Sequence, residues 1–227
     1  MRKEKLRLII FPVVFLVITG VLGLVFWPLI SDVQNPEYRE IFSVWVAGLG
    51  IRGVFILFGI QILQIVIAVI PGQPVALIAG AAYGAWIGLL ILMAGCAVAT
   101  MLVFFLVKKF GLPLIKRFIG AEAISTWGFL ASEKKVALVT FILFLIPGLP
   151  KDTLTYLAPL SRLSLVSFTT ISVFARFPAM LSTTVMGDAA IQGNWSLFLI
   201  VFAITAISGV LGIQIRNSII QQRKNAA

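Results

Sequence analysis

The chain has 227 residues, 60% of them in the hydrophobic set and 11% charged, with a mean hydropathy of +1.10, whereas soluble domains run at roughly 45–50% apolar and 25% charged. A cytosolic enzyme, a disordered tail and a disulfide scaffold are excluded, because the apolar surplus has no place in water. Eighteen Lys and Arg against eight Asp and Glu give a net charge of +10, and the basic residues sit where long apolar runs end, the pattern of a membrane protein and not of a nucleic-acid binder.

Residues 1–7 carry four basic side chains, and Leu8 to Ile30 follows with no charge, long enough at ~1.5 Å per residue to cross a ~30 Å core. The run is longer than a secretory h-region and ends in FWPLI, so it reads as an uncleaved anchor. In SDVQNPEYREIFSVW, Asn35 is a helix cap, Pro36 suits the first helical position and Glu37 complements the dipole. Tyr38, Ile41, Phe42 and Trp45 share one face, which predicts a short interfacial helix with Arg39 and Glu40 toward water. GLGIRG (48–53) has the glycine spacing of a dinucleotide motif but lacks the preceding strand and the later acid.

Val54 to Ile70 is apolar apart from Gln61 and Gln64, breaks at PGQP (71–74) and resumes. FILFLI breaks in the same way at PGLP (147–150). Each break precedes a full-length apolar run, Trp86 to Val107 and Leu165 to Met186. Paired Pro/Gly interruptions in two halves predict two re-entrant helical hairpins, 54–83 and 136–160, entering from opposite faces as an inverted repeat. With that topology fourteen of the 18 basic residues lie in the cytoplasm, among them Lys108, Lys109, Lys116, Arg117 and Arg216, in keeping with the positive-inside rule. Trp27, Trp45, Trp86 and Trp195 fall at outer boundaries, and Trp127 lies in an amphipathic cytoplasmic segment over 112–131.

The hairpin tips are Pro71, Gly72 and Pro74, and Pro147, Gly148 and Pro150. Half-helices restarting at Pro74 and Pro150 aim N–H groups and positive dipole ends at the tips, and Lys151 sits at one of them. Arg176 lies near the middle of a spanning run and is followed by the kinking Pro178. Two readings stand side by side: Arg176 and Lys151 hold an anionic group, or Arg176 pairs with Asp152 or hairpin carbonyls and only braces the fold. Gln73 and Tyr156 lead the polar residues that would line a cavity. Gly80, Gly84 and Gly88 read as a face for close helix packing. There is no histidine, so no metal site, cofactor or enzymatic activity is expected, and Cys96 reads as a small buried residue.

At IPGQPVALIAGAAYG, FLIPGLPKDTLTYLAPLSRLS and FARFPAMLSTTVMGDA, the sequence resembles the VTT-domain membrane proteins, also called SNARE-associated Golgi proteins, in their bacterial and yeast Golgi-vesicle branch related to DedA. The resemblance covers about residues 40–215. It implies two re-entrant hairpins and the movement of lipids between leaflets, either phospholipid scrambling or uptake of a polyprenyl-phosphate carrier. Pro71, Gly72 and Pro74 match the first tip; Pro147, Gly148, Pro150, Asp152 and Tyr156 the second; Arg176 and Pro178 the later arginine motif. The chain departs from the pattern at Phe144, where many relatives carry an arginine, and at Gln73, where DedA members often carry an acid.

The expectation is an all-α polytopic membrane protein with about four transmembrane helices plus the two hairpins: an anchor over 1–33, a membrane domain over 34–215 and a basic cytoplasmic tail over 216–227, set in the plasma membrane with both termini cytoplasmic. Its expected function is translocation of an anionic lipid head group, with phosphate-bearing membrane lipids as partners, no nucleic acid, and self-association left open. The alternatives are a small-solute or ion secondary transporter and a non-transporting assembly protein.

Overall fold

The computed structural model describes residues 35–67, 71–119, 133–145, 151–161 and 163–225. They form six helices, α1 Pro36–Ile67, α2 Gly72–Ile119, α3 Glu133–Leu145, α4 Lys151–Leu157, α5 Leu165–Ile191 and α6 Trp195–Asn225, with a 3-10 turn over Ala158–Leu160. Pro36–Ile67, Gly72–Gly111, Leu165–Ile191 and Trp195–Gly212 are long and apolar enough to cross a bilayer, and no strand occurs among the described residues. The chain is thus an all-α polytopic membrane protein. The anchor expected at 8–30, the tip residues Pro147, Gly148 and Pro150, and the segment 120–131 lie outside the described residues.

Local chemistry starts α1 as its sequence requires. Asn35 Oδ1 accepts the N–H of Glu37 at 3.0 Å, and Pro36 occupies the first position, where a missing N–H costs nothing. Gly50, at φ 50° and ψ −136°, then divides α1 into an amphipathic piece and a longer apolar one. Tyr38, Ile41 and Trp45 are exposed, as a lipid-facing stripe requires. Arg39, expected toward water, is instead half-buried against Gly193 in the turn after α5.

Helix α2 reverses within itself. Gly84 sits at φ 77° and ψ 166°, a conformation open essentially to glycine alone. Gly88 lies against the carbonyl of Ala79 and the nitrogen of Gly80, although in a straight helix nine residues would hold 79 and 88 roughly 13 Å apart. Segments 72–83 and 85–110 are therefore antiparallel. The same holds one step earlier, because Gly53 meets the Tyr83 hydroxyl and Gly72 meets the Gln64 amide, which sets 51–67 antiparallel to 72–83. Leu57, Val75, Ala76, Ala79, Ile91 and Leu92 fill the seam between the three segments.

Helix α5 lies along 72–83 with almost no side chain between the backbones. A Cβ on Gly80 would meet the Thr184 carbonyl, and one on Gly187 would meet the Leu77 carbonyl, the close approach that small residues permit between membrane helices. Gly80 and Gly88 thus lie in tight backbone contacts. Gly84, expected to share that face, has open space beside it and makes the reversal instead.

The far end of the molecule is closed by α3 and α4. Phe104 of α2, Val136 and Phe144 of α3, Ala158, Leu163, and Phe168 and Ala175 of α5 form one buried cluster. Lys108 Nζ donates to the Ser161 carbonyl at 3.2 Å, tying α2 to the chain after α4. Helix α6 packs on α5.

Candidate functional site

Ser164 caps α5 by accepting the Ser167 N–H at 3.1 Å. Along the helix that follows, Thr169, Ser172, Arg176 and Thr183 recur at steps of three, four and seven, which places them on one face. All four are buried, Arg176 with 4% of its surface exposed.

Arg176 is the centre of this stripe. Its Nη2 donates to Thr155 Oγ1 of α4 at 2.6 Å, and its guanidinium lies 5.2 Å from the centroid of the Phe144 ring of α3. Thr155 spends its own proton on the Lys151 carbonyl at 2.9 Å, which leaves its oxygen lone pairs turned to the arginine. A cation at bilayer depth costs about 2.5–3.5 kcal/mol on insertion scales, and a charge-assisted bond and a ring face each offset part of it. Pro178, two residues on, lies within α5 on an exposed flank.

Tyr156, beside Thr155, is 3% exposed and donates its hydroxyl to the Val66 carbonyl. That carbonyl lies in the last turn of α1, where helix carbonyls have no N–H donor within the helix. Arg176 and Tyr156 therefore join α3, α4 and α5 to the end of α1.

Gln73 is elsewhere. Its Oε1 accepts from the Thr183 hydroxyl at 2.8 Å, seven residues or roughly 10 Å along α5 from Arg176. Helix α2 begins at Gly72, two residues before the expected Pro74, and Pro71 and Pro74 are both exposed. Lys151 is half-buried as the first residue of α4, and the side chain of Asp152 lies outside what the structure describes. The structure thus brings Arg176 and Tyr156 together with the start of α4 and leaves Gln73 apart.

Several functional candidates escape a reading by sequence. Gln61 and Gln64 are each 2% exposed, and they are the two polar residues of an apolar run three positions apart, a visible signal for one buried face. Thr140, Thr169 and Ser172 hydroxyls and Gln64 Oε1 are buried with no hydrogen-bond partner among the described residues. The roles of Thr155 and Phe144 depend on contacts that only the fold creates. Among the described residues no three His, Cys, Asp or Glu side chains come together as a metal site would need.

A family model described as the VTT domain matches residues 70–189, a span that runs from the start of α2 almost to the end of α5 and contains Arg176, Tyr156, Gln73 and Lys151. No curated protein and no solved structure gives a significant match to the chain.

Proposed function

The chain belongs to the VTT-domain family of membrane proteins, and from that premise we propose that it moves a lipid with an anionic head group, a phospholipid or a polyprenyl phosphate, between the leaflets of the bilayer. The observation that carries this reading is Arg176: a cation 4% exposed at the point where α3, α4 and α5 meet, on a face of α5 that is polar over several turns.

In this reading 54–83 and 136–160 are re-entrant hairpins that enter from opposite faces and meet at Tyr156 and Val66. The protein is set in the plasma membrane with its basic termini in the cytoplasm, following the positive-inside rule. The planar fork of Arg176 suits the oxygens of a phosphate, and Lys151 at the start of α4 adds a second cation. The buried hydroxyls of Thr140, Thr169 and Ser172 would each cost about 1–3 kcal/mol unmet, so head-group oxygens or water passing along the stripe supply what they lack. The acyl or prenyl tail stays in lipid, and the barrier to dragging charge through hydrocarbon falls. The protein acts as a conduit and catalyses no bond making or breaking.

The test is leaflet exchange of a fluorescent phospholipid, and separately of a polyprenyl phosphate, in liposomes holding the purified protein beside Arg176→Gln at equal folded amount. Exchange by the wild type and its loss in the variant is the expected result. Absence of exchange of both lipids by well-folded protein overturns the reading in favour of a small-solute carrier or an assembly role.

A further inference from the structure

The bend at Gly50 folds the amphipathic piece of α1 back over the end of 72–83 and opens a pocket there, well away from Arg176. Its volume is about 720 Å³, and its walls include Arg39, Glu40, Ser43, Val54, Tyr83 and Ile191. Arg39 is the unusual member. Its guanidinium lies against Gly193, and its Nε is buried with no hydrogen-bond partner among the described residues. A buried donor left unmet is costly, more so on a charged group. Glu40 lines the same pocket and is exposed. Consecutive helix residues point about 100° apart, so the cation and the carboxylate leave the same helix in different directions and can meet two different groups of one ligand.

The floor is apolar, with Val46, Ala47, Ile51 and Val54 from α1 and Ala81 and Ala82 from α2. Exposed Trp45 and Trp86 flank this end of the molecule, the level at which amphipathic rings sit in the head-group layer. A polar mouth of mixed charge over an apolar floor at the interface fits an amphiphile whose head carries both signs. A purely anionic head would meet Arg39 but be repelled by Glu40.

We propose that this pocket is a docking site for a zwitterionic phospholipid, with the phosphate on Arg39, the ammonium on Glu40 and one chain leaving along Ile51 and Val54. The site is separate from the hairpin centre and does not depend on lipid translocation.

Native mass spectrometry of the delipidated full chain, offered equimolar phosphatidylethanolamine and phosphatidylglycerol, tests it. The wild type is expected to retain phosphatidylethanolamine in preference, Arg39→Gln to retain at least about tenfold less, as the loss of one charge-assisted contact implies, and Glu40→Gln to hold the two lipids equally. Should Arg39→Gln fail to fold, the exposed Glu40→Gln still reports through the lost preference. Preference for phosphatidylglycerol, or retention indifferent to both substitutions, overturns the proposal and marks the bound lipid as a general annulus. Binding is read at equilibrium without transport, so failure here leaves the leaflet-exchange reading standing, and failure there leaves this one.

Discussion

Asp188 Oδ2 accepts the backbone N–H of Ala85 at 3.1 Å, across 103 positions of sequence. Ala85 is the first residue after the reversal at Gly84, so a carboxylate from α5 caps a helix to which it is not joined. The other oxygen, Oδ1, accepts from Gln192 Nε2 at 2.6 Å and is held in place. An acid at a helix N-terminus is favoured both by the free N–H and by the dipole.

Asp188→Ala is therefore expected to lower stability by ~1–2 kcal/mol, and Asp188→Asn to recover most of that loss because its amide oxygen still accepts. Thermal unfolding of the detergent-solubilised protein measures both. Equal losses in the two variants would show that the charge, and not the cap, matters.

Gly84 and Gly80 are expected to respond differently to size. At Gly84 the cost is backbone strain, ~1–3 kcal/mol, and because nothing lies within 4 Å of an added Cβ, Gly84→Ala and Gly84→Leu should unfold at similar temperatures. At Gly80 the added atoms meet the Thr184 backbone, so Gly80→Leu should be far worse than Gly80→Ala. The same unfolding series reads all four variants.

Tyr156→Phe removes one hydrogen bond and strands a half-buried carbonyl, a loss of ~1–3 kcal/mol. Hydrogen exchange should rise in the last turn of α1, around Val66, as well as in α4. A rise confined to α4 would mean that the hydroxyl does not anchor the end of α1.

Single cysteines at Lys109 and Gln192, both exposed, are expected to react with a membrane-impermeant maleimide from opposite sides of the bilayer. The native Cys96 is fully buried and gives no background. Labelling of both positions from one side would refute the proposed crossing pattern of α2 and α5.

Sequence reasoning reaches the parts of this fold whose causes are local. Asn35 and Pro36 start a helix through their own chemistry, and the break at PGQP (71–74) and the isolated Arg176 stand out from apolar surroundings. The hairpin over 54–83 and the run from Trp86 call for a reversal between them, but Gly84 as the residue that makes it is harder to read, because GAWIG continues an apolar run and a glycine spaced four residues from two others suits packing equally well. Only the fold separates the two roles. Arg39 is misjudged for a related reason: helical periodicity places it on the polar face, but the turn at Gly193, 154 positions later, comes to lie over it. In the candidate site the charged member was visible and its partners were not, since a hydroxyl on α4 and a ring on α3 gain their meaning only once Arg176 of α5 reaches both.

Helix α6 has no buried residue in its apolar window, and Leu199, Phe202 and Ile207 are all exposed. Those exposed side chains meet lipid tails, which flow around any contour, so these positions demand greasiness and not a particular shape. Exchanges among the exposed apolar residues there should have little effect on folding however large the change in volume. Across the molecule, at Gly80, a single methyl group has nowhere to go. One chain thus contains a helix that tolerates drift and a seam that forbids it, and the boundary between them runs along the two sides of α5.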